Sequence, residues 1–174
     1  MESLLLHLIS HIKEALPTLS MVDEDCGQLE ALDNDNVDRY PLTFPAVLID
    51  TPEVEWSNTA RLSQQGTAKV NVRLVIDCYD DTHYASGTVE GISTRHKLVQ
   101  QLHRAIQGYR PADEGELIRV SSKFYTYNHG IKVYDTVYSV AVYDPIRQTT
   151  LIDGPVDGRK PSLKVGFRPF GEEW

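Results

Sequence analysis

The sequence predicts an α+β fold: a mixed, mostly antiparallel sheet of four or slightly more strands, two helices packed on one face, a long hairpin and an extended C-terminal arm. Two stretches repeat apolar residues at helical spacing, and others alternate them at the period of a strand. The two kinds follow one another in the order helix, hairpin, helix, hairpin. A helix between the second and third long strands permits a parallel right-handed crossover, which makes the sheet mixed. With 174 residues the chain fits one domain with its own core, expected over 1–144, and residues 145–174 are set apart as a Pro/Gly-rich arm.

Leu5, Leu8, Ile9, Ile12, Ala15 and Leu16 recur at helical spacing and stop at Pro17, so the first helix is expected over roughly 3–16. From Asp23 onward the chain is acidic and aperiodic, with the turn-forming stretches DEDCG and DNDN; residues 23–40 are expected to form a surface connection within the domain. FPAVLID reads as a short buried strand that EVEW extends past the irregularity at Pro52, and SNTARLSQQ as a polar loop. The clearest strand is GTAKVNVRLVIDCY. Ala68, Val70, Val72, Leu74, Ile76 and Cys78 fall on one face, with Lys69, Asn71, Arg73 and Asp77 on the other. Its length implies a hairpin with its predecessor that projects beyond the core.

Ile92, Leu98, Val99, Leu102, Ala105 and Ile106 mark a second amphipathic helix, with Thr88 or Ser93 as candidate caps and Gly108 at its end. LIRVSSKFYTY and IKVYDTVYSVAVYD, joined by NHG, read as the final hairpin. The last thirty residues hold four prolines and four glycines and show no periodicity, yet they carry Phe167, Phe170 and Trp174, aromatics that disordered tails usually lack.

Charge is uneven. The net charge is -8, with twelve acids against two bases in residues 1–60 and thirteen against fifteen thereafter. This disfavours sequence-independent capture of nucleic acid, which needs clustered bases, and fits self-assembly between unlike faces. Apolar runs are too short for a membrane span, and the N-terminus has no signal-peptide pattern, so a soluble, unexported protein is expected with Cys26 and Cys78 as free thiols.

DCYDDTHY, Asp77 to Tyr84, is the densest group of reactive side chains, but strand alternation sends Asp77 and Cys78 to opposite faces, which separates Asp77, Cys78, Asp80, Asp81 and His83 as ligands. In HLISH, His7 and His11 have the spacing of a zinc-protease helix, but Leu8 stands where its general base belongs; solvent-facing histidines are expected. His96 and His103 stand about 10 Å apart along a helix edge, too far to share one ion. GTVEGIST lacks the spacing and the lysine of a phosphate loop. No catalytic set, metal site or cofactor site is expected. Tyr125, Tyr127, Tyr134, Tyr138 and Tyr143 are assigned to cross-strand packing and subunit contact, with base stacking beside Lys123 and Lys132 as the alternative.

FPAVLID, QQGTAKVNVRLVIDCY, STRHKLVQQLHRAIQGY and YDTVYSVAVYD together resemble the tail terminator and tail completion (head-tail joining) proteins of long-tailed phages and prophages, over about residues 4–144. The resemblance lies in element order and hydrophobic pattern. It implies a non-enzymatic virion protein of the tail or neck, assembled in the host bacterial cytoplasm. In that family subunits form a ring, commonly a hexamer, that caps the tail tube and faces the head-tail connector, and DNA passes through the lumen without specific recognition. Arg61, Gln64 and Gln65 in the loop Ser57 to Gln65 are the expected contacts to neighbours or tube, and Phe167, Phe170 and Trp174 those of the arm. A neck or head completion protein, or a small metal- or nucleic-acid-binding domain, is the alternative.

Overall fold

A computed structural model describes residues 2–33, 41–60, 63–78, 87–111 and 114–144. Helix α1 (Glu2–Ala15) is followed by strands β1 (Met21–Glu24), β2 (Ala46–Ala60) and β3 (Ser63–Asp77), helix α2 (Thr88–Ile106), and strands β4 (Ile118–Tyr127) and β5 (Ile131–Asp144). They form one five-stranded sheet in the order β1-β2-β3-β5-β4. β1 runs parallel to β2, and every other neighbouring pair is antiparallel. Because β5 inserts between them, β3 and β4 run in the same direction without touching, which is what a helical connection between them allows.

Both helices pack on one face. α1 buries Leu4, Leu5, Leu8 and Ile12, and α2 buries Leu102 and Ile106, against Val47 and Ile49 of β2, Val70, Val72 and Leu74 of β3, and Tyr138 and Val140 of β5. The alternation read in β3 holds, with Ala68 to Leu74 buried at even positions on the helix side. α2 departs from its predicted face at the start. Ile92 and Val89 are 52% and 70% exposed, so only the C-terminal half of α2 lies on the core. Its cap is neither Thr88 nor Ser93 but Gly87, in the left-handed region at φ 83, a conformation that glycine adopts at no steric cost.

The acidic stretch is not the plain surface connection that its composition predicts. Its first residues, Asp23 and Glu24, complete β1 (Met21–Glu24), and Glu30–Asp33 form a 3-10 turn. Buried Leu29, flanked by Leu32, Leu42 and Phe44, covers Ala46, Leu48, Val75 and Val133 on the sheet face opposite the helices. The predicted polar loop SNTARLSQQ is corrected as well. β2 runs to Ala60 and β3 begins at Ser63, with Asn58 opposite Gln64 and a register shift between Asn58 and Ala60. The hairpin thus carries ladder pairing almost to its tip, and β5 accompanies it to Asp144 opposite Gln64. Residues 145–174, and with them the predicted arm, lie outside the described residues.

Candidate assembly surfaces

Toward its tip the β2–β3 hairpin, accompanied by β5, is rich in polar side chains, and its strands are held by side chains as well as by the ladder. Ser57 Oγ donates to the Gln65 carbonyl at 3.0 Å, Thr59 Oγ1 to the Ser63 carbonyl at 2.9 Å, and Gln64 Nε2 to Asn58 Oδ1 at 3.1 Å. Lys69 bridges Glu53 at 2.7 Å and Glu55 at 3.7 Å. Trp56, 44% exposed, lies over Gly66, where an added Cβ would meet Trp56 Cε3 and the Glu55 carbonyl oxygen at 2.9 Å each. A glycine is needed there for the close approach of ring and backbone. Of the predicted contacts, Gln64 and Gln65 sit on this hairpin on opposite faces. Gln64 turns to Asn58, while Gln65 is exposed opposite Ser57 and Tyr143. Arg61, Phe167, Phe170 and Trp174 lie outside the described residues.

β4 is an edge strand, and from Ile118 to Phe124 every residue is exposed, including Ile118 (45%), Val120 (62%) and Phe124 (57%). A bulge between Arg119 and Ser121 breaks its register with β5. Because α2 does not reach over β4, a groove with a cavity volume of about 200 Å³ is left beside it, lined by Val99, His103, Phe124, Tyr134 and Tyr138 among others. Phe124 stacks on Tyr134 with centroids 4.8 Å apart. His103 Nδ1 and the Tyr138 hydroxyl are 3.0 Å apart. Burial, and then the positive charge of Arg119, hold the His103 imidazole below its ordinary range, while burial pushes the Tyr138 phenol up to about 12. The groove is therefore floored by neutral rings at neutral pH and rimmed by a guanidinium.

On the opposite face a row of alternating charge crosses the sheet. Arg73 of β3 binds Asp25, and its Nη1 meets Glu30 Oε1 at 2.6 Å; Asp135 of β5 stands beside Arg73, and Lys123 of β4 beside Asp135. Burial opposes ionisation of Glu30, but the hydrogen bond and charge of Arg73 outweigh it and hold that carboxyl below the usual range. Asp135 is raised by burial, in spite of Arg73 and Lys123, and its Oδ1 is buried without a hydrogen-bond partner. Tyr127 donates its hydroxyl to Asp33 Oδ2 at 2.6 Å, and Asn128 Nδ2 bonds the same carboxylate. Arg73 and Tyr127 thus clamp the acidic segment across the sheet, the role that its composition concealed.

The DCYDDTHY stretch divides, in its described part, as alternation predicts. Asp77 is exposed and Cys78 is buried on the helix side, where Arg95 Nη1 approaches its sulfur at 3.5 Å; residues 79–86 lie outside the described residues. Among the described residues no group of three or more His, Cys, Asp or Glu side chains is placed to hold a metal ion. Of the two histidines of α1, His7 is exposed as expected. His11 is not solvent-facing: it stacks on Tyr109 with centroids 3.7 Å apart, and its Nε2 meets the Ala105 carbonyl at 2.9 Å, joining α1 to the end of α2. The tyrosines split between faces. Tyr134 and Tyr138 lie on the helix side, Tyr125 and Tyr127 pack against the second cluster, and Tyr143 is 53% exposed, so they form no single platform for stacked bases.

No protein-family model matches the sequence, and no curated protein does. Among solved structures, a chain of the virion of a native gene transfer agent particle is similar, with 10% identity and a TM-score of 0.49 over 83% of this chain and 95% of that one. No helix among the described residues is long and apolar enough to cross a membrane.

Proposed function

We propose that this chain is a non-enzymatic structural protein of a phage-like particle, a tail terminator that assembles into a ring, with six subunits as the resemblance of the sequence implies. The ring caps the tail tube, faces the head-tail connector, and leaves a lumen for DNA. One observation carries this: the described surface offers edges suited to association. A ten-residue edge strand exposes Ile118, Val120 and Phe124, and the long β2–β3 hairpin exposes Trp56. Exposed apolar residues on an unpaired edge are an aggregation liability unless a partner covers them. An obligate ring supplies that partner. Deleting the gene in the producing cell is expected to leave heads and tails unjoined, with tubes of irregular length. Joined particles of normal length would reject the reading.

A further inference from the structure

We propose that β4 of one copy pairs with β1 of the next, so that copies of this chain join head to tail through sheet edges of opposite charge. This rests on the ring reading above and assigns the surfaces that make it. The sheet ends in β1 on one side and β4 on the other, and among the described residues each has a sheet neighbour on one side only. β1, MVDE, carries the exposed acids Asp23 and Glu24 and no base. β4, IRVSSKFYTY, carries the exposed bases Arg119 and Lys123 and no acid. The helical layer repeats the polarity: α1 beside β1 holds Glu2 and Glu14 against Lys13, while α2 holds Arg95, Lys97 and Arg104 against Glu90.

The acids of the next turn are already engaged, Asp25 and Glu30 with Arg73 and Asp33 with Tyr127, which among the described residues leaves Asp23 and Glu24 as the outward charge of β1. Arg119 and Lys123 are in no ion pair among the described residues; Lys123 lies 5.1 Å from the Tyr125 ring centroid. A two-fold contact between two β4 edges would set Arg119 and Lys123 against their own copies. A contact between unlike edges sets Asp23 and Glu24 of one copy against the basic edge of the next and covers part of the exposed apolar row of β4. Such a contact is heterologous, and it closes into a ring when the rotation between copies allows. Four residues of β1 match about 13 Å of β4 at roughly 3.3 Å per residue, which leaves the rest of β4 and its groove for side chains of the neighbour.

The test uses the full chain and two charge-reversed variants, Arg119→Glu/Lys123→Glu and Asp23→Lys/Glu24→Lys, with native mass from light scattering and circular dichroism to show that each is folded. Each variant alone is expected to run as a 19.7 kDa monomer. Their equimolar mixture is expected to regain the wild-type mass with the two variants in equal proportion, because each acidic edge then meets a basic one. Variants that assemble as the wild type does, folded variants whose mixture stays monomeric, or a mixture that stops at heterodimers while the wild type forms a larger oligomer would each overturn the edge assignment while leaving the ring intact. A wild-type chain that stays at 19.7 kDa, with or without tail tubes, would remove both.

Discussion

Replacing Arg73 with Met separates the clamp from the sheet and leaves most of the apolar stem in place. The Arg73 and Asp25 side chains are only 16% and 4% exposed, so the substitution strands a carboxylate that solvent barely reaches. Breaking a buried pair by removing one partner costs about 3 to 5 kcal/mol. Glu30, at 55% exposure, contributes no more than about 1 kcal/mol as a surface partner. A loss near 3 kcal/mol is therefore expected from urea unfolding, against a total of roughly 5 to 15 kcal/mol for a domain. Asp25→Asn in the Arg73→Met background should recover most of it, since the stranded charge is then gone. The pH dependence has a definite sign. Glu30 is lowered in the fold from its ordinary 4.5, so its contribution is complete above that value and is lost as pH falls through the lower folded value. Arg73→Met should abolish that component. A loss below about 1 kcal/mol, or no recovery with Asp25→Asn, would refute the clamp.

Gly66→Ala places a Cβ 2.9 Å from both Trp56 Cε3 and the Glu55 carbonyl, and is expected to cost about 1 to 3 kcal/mol in thermal melts, with a change in tryptophan emission. Trp56→Ala should relieve only part of that cost, because the carbonyl contact remains. His103 is expected to titrate below 6.5 by NMR, and its share of stability to fall as pH drops from 6.5 through the folded value; His103→Gln should remove that acid-side loss. Tyr138→Phe should cost about 0.5 to 1.5 kcal/mol for the lost hydrogen bond to His103, measured by urea unfolding.

The strands and helices that bury one face against the core were legible, because burial imposes a period. β3 alternates from Ala68 to Cys78, α1 repeats at Leu5, Leu8 and Ile12, and NHG sits where the last hairpin turns. What escaped has no such period. β1 is four residues long and places only Val22 in the core, so MVDE shows no alternation. The end of the hairpin, Ser57 to Thr59 with Ser63 to Gln65, consists of polar residues that do not alternate with apolar ones and therefore reads as a loop. Leu29 is buried by a tertiary contact with Ala46, Leu48, Val75 and Val133 of the sheet, which nothing within an acidic stretch could signal. The apolar stripe of α1 predicts a solvent-facing His11 because it cannot show that Tyr109 of a distant segment covers the ring. The unlike charge of the two halves was legible; that it resolves into the two edges of one sheet depended on the strand order, which connection lengths leave open.

The most direct test of the structural role is electron microscopy of the full chain mixed with tail tubes from the same particle. The account predicts one closed ring at a single end of each tube, absent from tubes incubated alone. Bare tube ends beside monomers of 19.7 kDa would contradict it.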